Sequence, residues 1–238
     1  MATRAERADR TSRYALRVAI ATLSGLVLFW SLGIFSKPEL MGEHENLIWQ
    51  KLFGETFTPE QVAQIRTPCD NYHRNIHPRA ALLAALIAVR DAELSLADGE
   101  AKDFKELAQC AGAASRQLIQ SNASSSIGWF LLAWTERLIG ADPDVAARYL
   151  ARSVALAPRE LWMAIKRVPL MQVEILRGNL ALARGDYRVL AEGERYELAA
   201  TLLGDCVARD PICEMDWNAG LNDRQVKLVW DERIRRSN

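Results

Sequence analysis

The chain has 238 residues, half of them apolar, and four cysteines. That is enough for one well-cored domain or two small ones, and too apolar for wholesale disorder. Lysine plus arginine equals aspartate plus glutamate, at 30 each, so the basic excess of a nucleic-acid-binding protein is missing.

The charge is unevenly placed. Arg4, Arg7, Arg10, Arg13 and Arg17 stand against only Glu6 and Asp9, and an uncharged run from Val18 to Phe35 follows. As a helix this run spans roughly 27 Å at about 1.5 Å per residue, close to the roughly 30 Å of a bilayer core. Tyr14, Ala15 and Leu16 extend it, because Arg17 can lift its guanidinium to the headgroups. Trp30 and Phe35 lie toward the other interface. The run is longer than a signal-peptide core of about 7–15 residues, and Ser31–Ser36 offers no A-x-A-like cleavage site. It is apolar on all sides, unlike a helix of a soluble core. The sequence therefore predicts a retained transmembrane anchor over residues 18–36, in contact with the lipid bilayer. Arginine-rich on its leading flank, with only Lys37 and Lys51 close behind, the anchor should leave the N-terminus in the cytosol. In a bacterium the chain is then a single-pass protein of the inner (cytoplasmic) membrane with its C-terminal domain in the periplasm. Ala80–Val89 is apolar but too short for a second span, and Arg79 and Arg90 close it off. The expected organisation is a cytosolic basic tail at 1–17, the anchor, a linker with short helices at 37–78, and a helical domain at 79–238.

Beyond the anchor the pattern is helical nearly throughout. Thr58, Pro59 and Gln61 form a capping box with proline at the first helical position. The stretch from His77 is a strong helix former that ends at Gly99. A helix from Phe104 fades in the polar turn near Ser125, and the next runs to Gly140. Asp142-Pro143 starts a helix that Pro158 stops. Leu161 to Arg184 is one further apolar-patterned stretch, and Pro169 is expected to divide or kink it. Arg195–Arg209 is helical, and Asn222–Arg235 closes the chain with Val226, Val229 and Trp230 on one side. No alternating strand pattern of useful length occurs.

Cys69, Cys110, Cys206 and Cys213 all lie on the predicted outer side, where disulfides persist. Three pairings are possible. Cys206–Cys213 is favoured, bridging a helix end to the segment turned by Pro211, which leaves Cys69–Cys110 to join two helices. The alternative is four buried thiols acting as small apolar side chains. No C-x2-C spacing suggests zinc.

The helices read as pairs. Ala146, Leu150, Ser153 and Pro158 recur in register as Ala199, Leu203, Cys206 and Pro211. This small–large–small–proline spacing resembles the second helix of a tetratricopeptide repeat, in which small residues let two helices approach and proline starts the turn. Ile127–Pro158 is close to one such unit. The second unit is stretched, and Leu107–Ser124 is a weaker copy without the proline. The resemblance implies an all-α fold: one N-terminal transmembrane helix followed by a tetratricopeptide-like helical-hairpin domain. Residues 128–170, with Trp-x-x-Leu-Ala-Trp, the helix ending in Ala-Leu-Ala-Pro, and Glu160-Leu161-Trp162 before Lys166-Arg167, are similar to small membrane-anchored helical-repeat proteins found with bacterial exopolysaccharide or O-antigen assembly systems. That similarity implies an accessory role in envelope glycan export and no catalytic chemistry.

Candidate binding residues cluster in the same region. Trp129, Trp134 and Trp162 are either core or the lining of a groove for sugars or a partner peptide. Arg148, Arg152, Arg159, Lys166 and Arg167 are either a solvated face or a basic strip that holds carboxylates of a partner tail or an acidic sugar. His73 and His77 stand four apart, but Pro78 and polar neighbours place them in a loop, His44 is remote, and no metal site is expected. No nucleophile elbow and no phosphate-binding loop is present, and no cofactor is expected. The expected function is non-catalytic: a tethered periplasmic scaffold for an integral membrane or periplasmic partner, with a glycan ligand possible. One alternative is a periplasmic chaperone or assembly factor, and the other is a glycan-acting enzyme.

Overall fold

The computed structural model describes residues 58–65, 69, 78–99 and 101–237. Within them lie ten helices and no strand. In chain order these are α1 (Pro59–Ile65), α2 (Pro78–Ala97), α3 (Ala101–Ser121), α4 (Ser126–Leu138), α5 (Pro143–Leu156), α6 (Leu161–Leu176), α7 (Leu180–Glu192), α8 (Tyr196–Arg209), α9 (Cys213–Asn218) and α10 (Asp223–Ser237). The segment assigned to the anchor lies outside the described residues, as do the histidines His44, His73 and His77. Among the described residues no helix is long and apolar enough to cross a membrane.

The helix starts follow the sequence. Thr58 N–H donates to Gln61 Oε1 at 3.1 Å, and Gln61 N–H returns to Thr58 Oγ1 at 3.3 Å, which completes the expected box. Asp142 accepts from Asp144 N–H at 2.9 Å ahead of Pro143. Asn222 and Gln225 make a reciprocal pair that opens α10.

The core is built from helical hairpins. Helix α2 packs along α3, α4 along α5, α6 along α7, and α8 along α10; successive pairs also touch, so the domain is a stack. Small residues sit where helices meet. Ala85 and Ala92 on α2, Ala108 and Ala111 on α3, and Ala133 on α4 have no exposed surface. Both copies of the repeated pattern are buried: Ala146, Leu150 and Ser153 on α5, and Ala199, Leu203 and Cys206 on α8. The apolar positions therefore do what the spacing requires of them.

Two expectations about the path of the chain are corrected. Helix α6 runs through Pro169, which lies on its exposed face. The break comes instead after Leu176. Gly178, at φ 90°, donates its N–H to Ile175 O at 2.9 Å, and Asn179 N–H reaches back to Glu174 O at 2.9 Å. This is a Schellman turn, and the positive φ is the reason glycine stands there. The same turn recurs after α7, where Arg195 N–H reaches Leu190 O at 2.8 Å and Glu194 takes φ 60°. Three helices, α6 to α8, thus fill the interval between Pro158 and Pro211, where the sequence suggested one stretched pair. Helix α8 opens the last pair instead of closing one.

Both disulfides form as favoured, Cys69–Cys110 and Cys206–Cys213. Cys69 precedes α2, so its bridge ties that connection to α3 and does not join two long helices. Cys206–Cys213 staples the short α9 to α8. Helix α9 is also seated on α7: Trp217 lies 5.2 Å from Tyr187, the Tyr187 hydroxyl donates to Asn218 Oδ1, and Arg188 Nη2 donates to the Ala219 carbonyl at 2.8 Å.

Candidate functional site

The candidate residues fall into a buried group and a surface group. Arg167 belongs to the first. Its side chain has no exposed surface, and neither has that of Asp186 on α7. Arg167 Nε donates to Asp186 Oδ2 at 2.8 Å and Nη2 to Oδ1 at 2.6 Å, a two-point match of guanidinium to carboxylate. The remaining donors turn to the end of α5: Nη1 to Ser153 O at 3.2 Å, and Nη2 to Ala157 O at 3.2 Å. Carbonyls at a helix C-terminus lack partners within the helix, and a cation there is also favoured by the helix dipole. Ser126 Oγ on α4 adds a hydrogen bond to Ser153 O at 3.1 Å. The network thus links four consecutive helices. It removes Arg167 from the expected basic strip, because a fully enclosed guanidinium with its donors taken up cannot meet a partner.

A second network pins the opposite end of α5 against α6. Arg177 Nη2 donates to Asp144 Oδ1 at 2.6 Å and Nη1 to the Pro143 carbonyl at 3.1 Å, while Nη1 also reaches the buried Glu174 carboxylate at 3.1 Å. The hydrogen bond to Asp144 raises the Arg177 pKa further above its ordinary value. Arginines carried by α6 and its C-terminal cap thus reach both ends of α5, Arg167 the C-terminal end and Arg177 the N-terminal end.

The surface group is more scattered than the sequence suggested. Arg148, Arg152 and Arg159 are exposed, Lys166 is partly exposed, and among the described residues none of the four has a hydrogen-bond or ion-pair partner. Trp129 and Trp134 do not share a groove: residues five apart on one helix point about 140° away from each other. Trp129 turns to α5, where its ring lies 5.7 Å from that of Tyr149. Its indole Nε1 donates to the Ala123 carbonyl at 2.9 Å. Trp134 lies 6.1 Å from Phe130, and its buried Nε1 has no hydrogen-bond partner among the described residues. Trp162 is half-buried at the start of α6, on the next hairpin.

Sequence reasoning missed Tyr149 and Asp186. Tyr149 joins Trp129 only because the α4–α5 turn sets the two helices in register. For Asp186 a signal existed: it stands three residues after Ala183 and four before Leu190, on the apolar stripe of a helix whose other charges, Arg184, Arg188 and Glu192, lie off that stripe. What the surface offers chemically is binding. Four unpaired cations and a ring pair suit a ligand that carries carboxylates or a face to stack on.

No family model, curated protein or solved structure matches the chain.

Proposed function

We propose that the chain is a non-catalytic scaffold tethered to the bacterial inner membrane, and that its helical domain holds a partner protein in the periplasm, within envelope polysaccharide assembly or export. The observation that carries this is the stack of helical hairpins held by two disulfides. Stacked hairpins present extended surfaces that suit protein partners. Disulfides persist in an oxidising compartment, which agrees with an outward-facing domain behind the apolar run at 18–35. The place in polysaccharide assembly rests only on the resemblance read in the motif pattern of residues 128–170, to which the comparisons with known proteins add nothing.

Two measurements test the proposal. Protease added to intact spheroplasts should digest the domain while a cytosolic control survives; protection of both would place the domain inside. A mild-detergent pull-down read by mass spectrometry should return one stoichiometric membrane or periplasmic partner. A spread of secreted clients would favour a chaperone instead. Soluble glycan fragments released by the purified protein would favour an enzyme.

A further inference from the structure

The α4–α5 hairpin carries a surface whose chemistry a protein scaffold leaves unused. Trp129 on α4 and Tyr149 on α5 are half-buried, with ring planes inclined at 41°. The only polar atom of the Trp129 ring is already engaged by the Ala123 carbonyl. What this ring offers a ligand is its π face. On α5, Arg152 stands three residues beyond Tyr149 and four beyond Arg148, so its side chain neighbours both along the helix surface. Arg148 and Arg152 are exposed and, among the described residues, unpaired.

Nothing adjacent neutralises them. From Val145 to Arg159 the sequence holds three arginines and no carboxylate. The turn from Ser121 to Ser125 and helix α4 as far as Thr135 are uncharged. The acids on the flanking elements do not pair with Arg148 or Arg152: Glu136 pairs with Arg116, Asp144 with Arg177, Asp142 caps the start of α5, and Glu160 follows Arg159 beyond the end of that helix. The hairpin thus combines a fixed aromatic shelf with uncompensated guanidinium groups.

We propose that this shelf binds the uronic acid residues of an anionic carbohydrate. A pyranose ring presents a rigid C–H-lined face, which stacks on an aromatic ring, and its carboxylate accepts two parallel hydrogen bonds from a guanidinium. A uronic acid carries both features on one ring. An acidic peptide carries its carboxylates on flexible stems and has no rigid face for the rings. Inorganic polyanions would engage the arginines alone. The shelf lies on the α4–α5 hairpin and does not depend on the anchor or on the protein partner, so the two proposals stand or fall separately.

The test uses the full chain in detergent micelles, titrated by calorimetry with trigalacturonic acid, its neutral methyl ester and a hexaglutamate peptide. Trigalacturonic acid should bind, and the ester should bind about tenfold or more weakly, since it keeps the stacking face but loses the charge. An Arg148→Ala/Arg152→Ala variant should lose about tenfold in affinity with an unchanged melting temperature. Tyr149→Leu, which keeps an apolar side chain against Trp129, should also weaken binding; it serves in place of Trp129→Ala should that variant fail to fold. Absence of binding at millimolar trigalacturonic acid would overturn the proposal. So would hexaglutamate binding as tightly, or arginine variants that leave the affinity unchanged.

Discussion

The buried Arg167–Asp186 pair gives the sharpest test of the fold. In Asp186→Ala the guanidinium keeps two carbonyl acceptors but loses its counter-charge in a site with no exposed surface. Leaving one member of a buried pair uncompensated costs about 3–5 kcal/mol. For a domain of this size that is a fall in melting temperature of roughly 6–20 °C. Replacing both members, as Arg167→Met/Asp186→Leu, removes the two charges together and should cost less. It is not free, because the carbonyls at the end of α5 lose their donor. Ser153 O keeps hydrogen bonds from Ala157 N–H and Ser126 Oγ. Ala157 O has no such second donor among the hydrogen bonds formed here and is left buried, at about 1–3 kcal/mol. The double variant should therefore sit between the wild type and Asp186→Ala. Thermal and urea unfolding followed by circular dichroism measure all four corners of the cycle. A loss below about 1 kcal/mol in Asp186→Ala would mean that water reaches the pair. A double variant no better than the single one would mean that the unpaired charge is not the source of the cost.

Three further outcomes follow from local features. Cys69→Ser/Cys110→Ser should destabilise by about 4 kcal/mol and Cys206→Ser/Cys213→Ser by about 2.5 kcal/mol, since the first closes the longer loop; unfolding of the two variants checks the order. Glu194→Gly should stabilise by about 0.5–1 kcal/mol, because Glu194 takes a left-handed conformation that glycine adopts without strain; the shift is read in the same melts. Burial pushes the Tyr187 phenol up to about 12 from its ordinary value of 10.0. Its contribution to stability is thus complete below about pH 10 and is lost as pH rises to about 12, so Tyr187→Phe should flatten the alkaline end of the stability profile and remove one late-titrating phenol from the tyrosinate absorbance curve.

Much of the fold was legible because its signals are local. The box at Thr58–Gln61, the start at Asp142-Pro143 and the end before Pro158 are short-range backbone chemistry, and each appears where the sequence places it. The buried positions Ala146, Leu150 and Ser153, and their counterparts on α8, were legible from spacing. The division of the stretch from Leu161 was not. Proline is the louder signal in sequence, but an exposed proline is tolerated within α6, while the quiet Gly178-Asn179 pair carries the turn. The candidate site was half legible. Helical spacing identified which tryptophans and arginines were present, but not which of them face water. Arg167 and Lys166 are neighbours in sequence, yet one is enclosed and the other is partly exposed. They point about 100° apart on α6, and only the placement of α5 and α7 decides that the side of Arg167 is the one enclosed.

That separation has a consequence for how such a stack keeps its register. The rest of the buried face of α6 is largely apolar, with Met163, Ala164, Val168, Leu170, Met171 and Ile175, and apolar burial is non-directional, so it discriminates between registers less sharply than a charge does. A one-turn slip of α6 along α5 would move Arg167 about 5.4 Å from the Ser153 and Ala157 carbonyls. A slip of α7 would strip it of Asp186. Either leaves a buried charge unpaired, a far larger penalty than any single apolar contact. The polar network therefore opposes wrong registers more strongly than it stabilises the right one. The double variant Arg167→Met/Asp186→Leu should thus lose uniqueness of packing in addition to its loss of stability. Broadened amide signals from α5, α6 and α7 in its NMR spectrum, against sharp signals in the wild type, are the expected result. A double variant with equally sharp signals throughout would show that apolar packing alone sets the register.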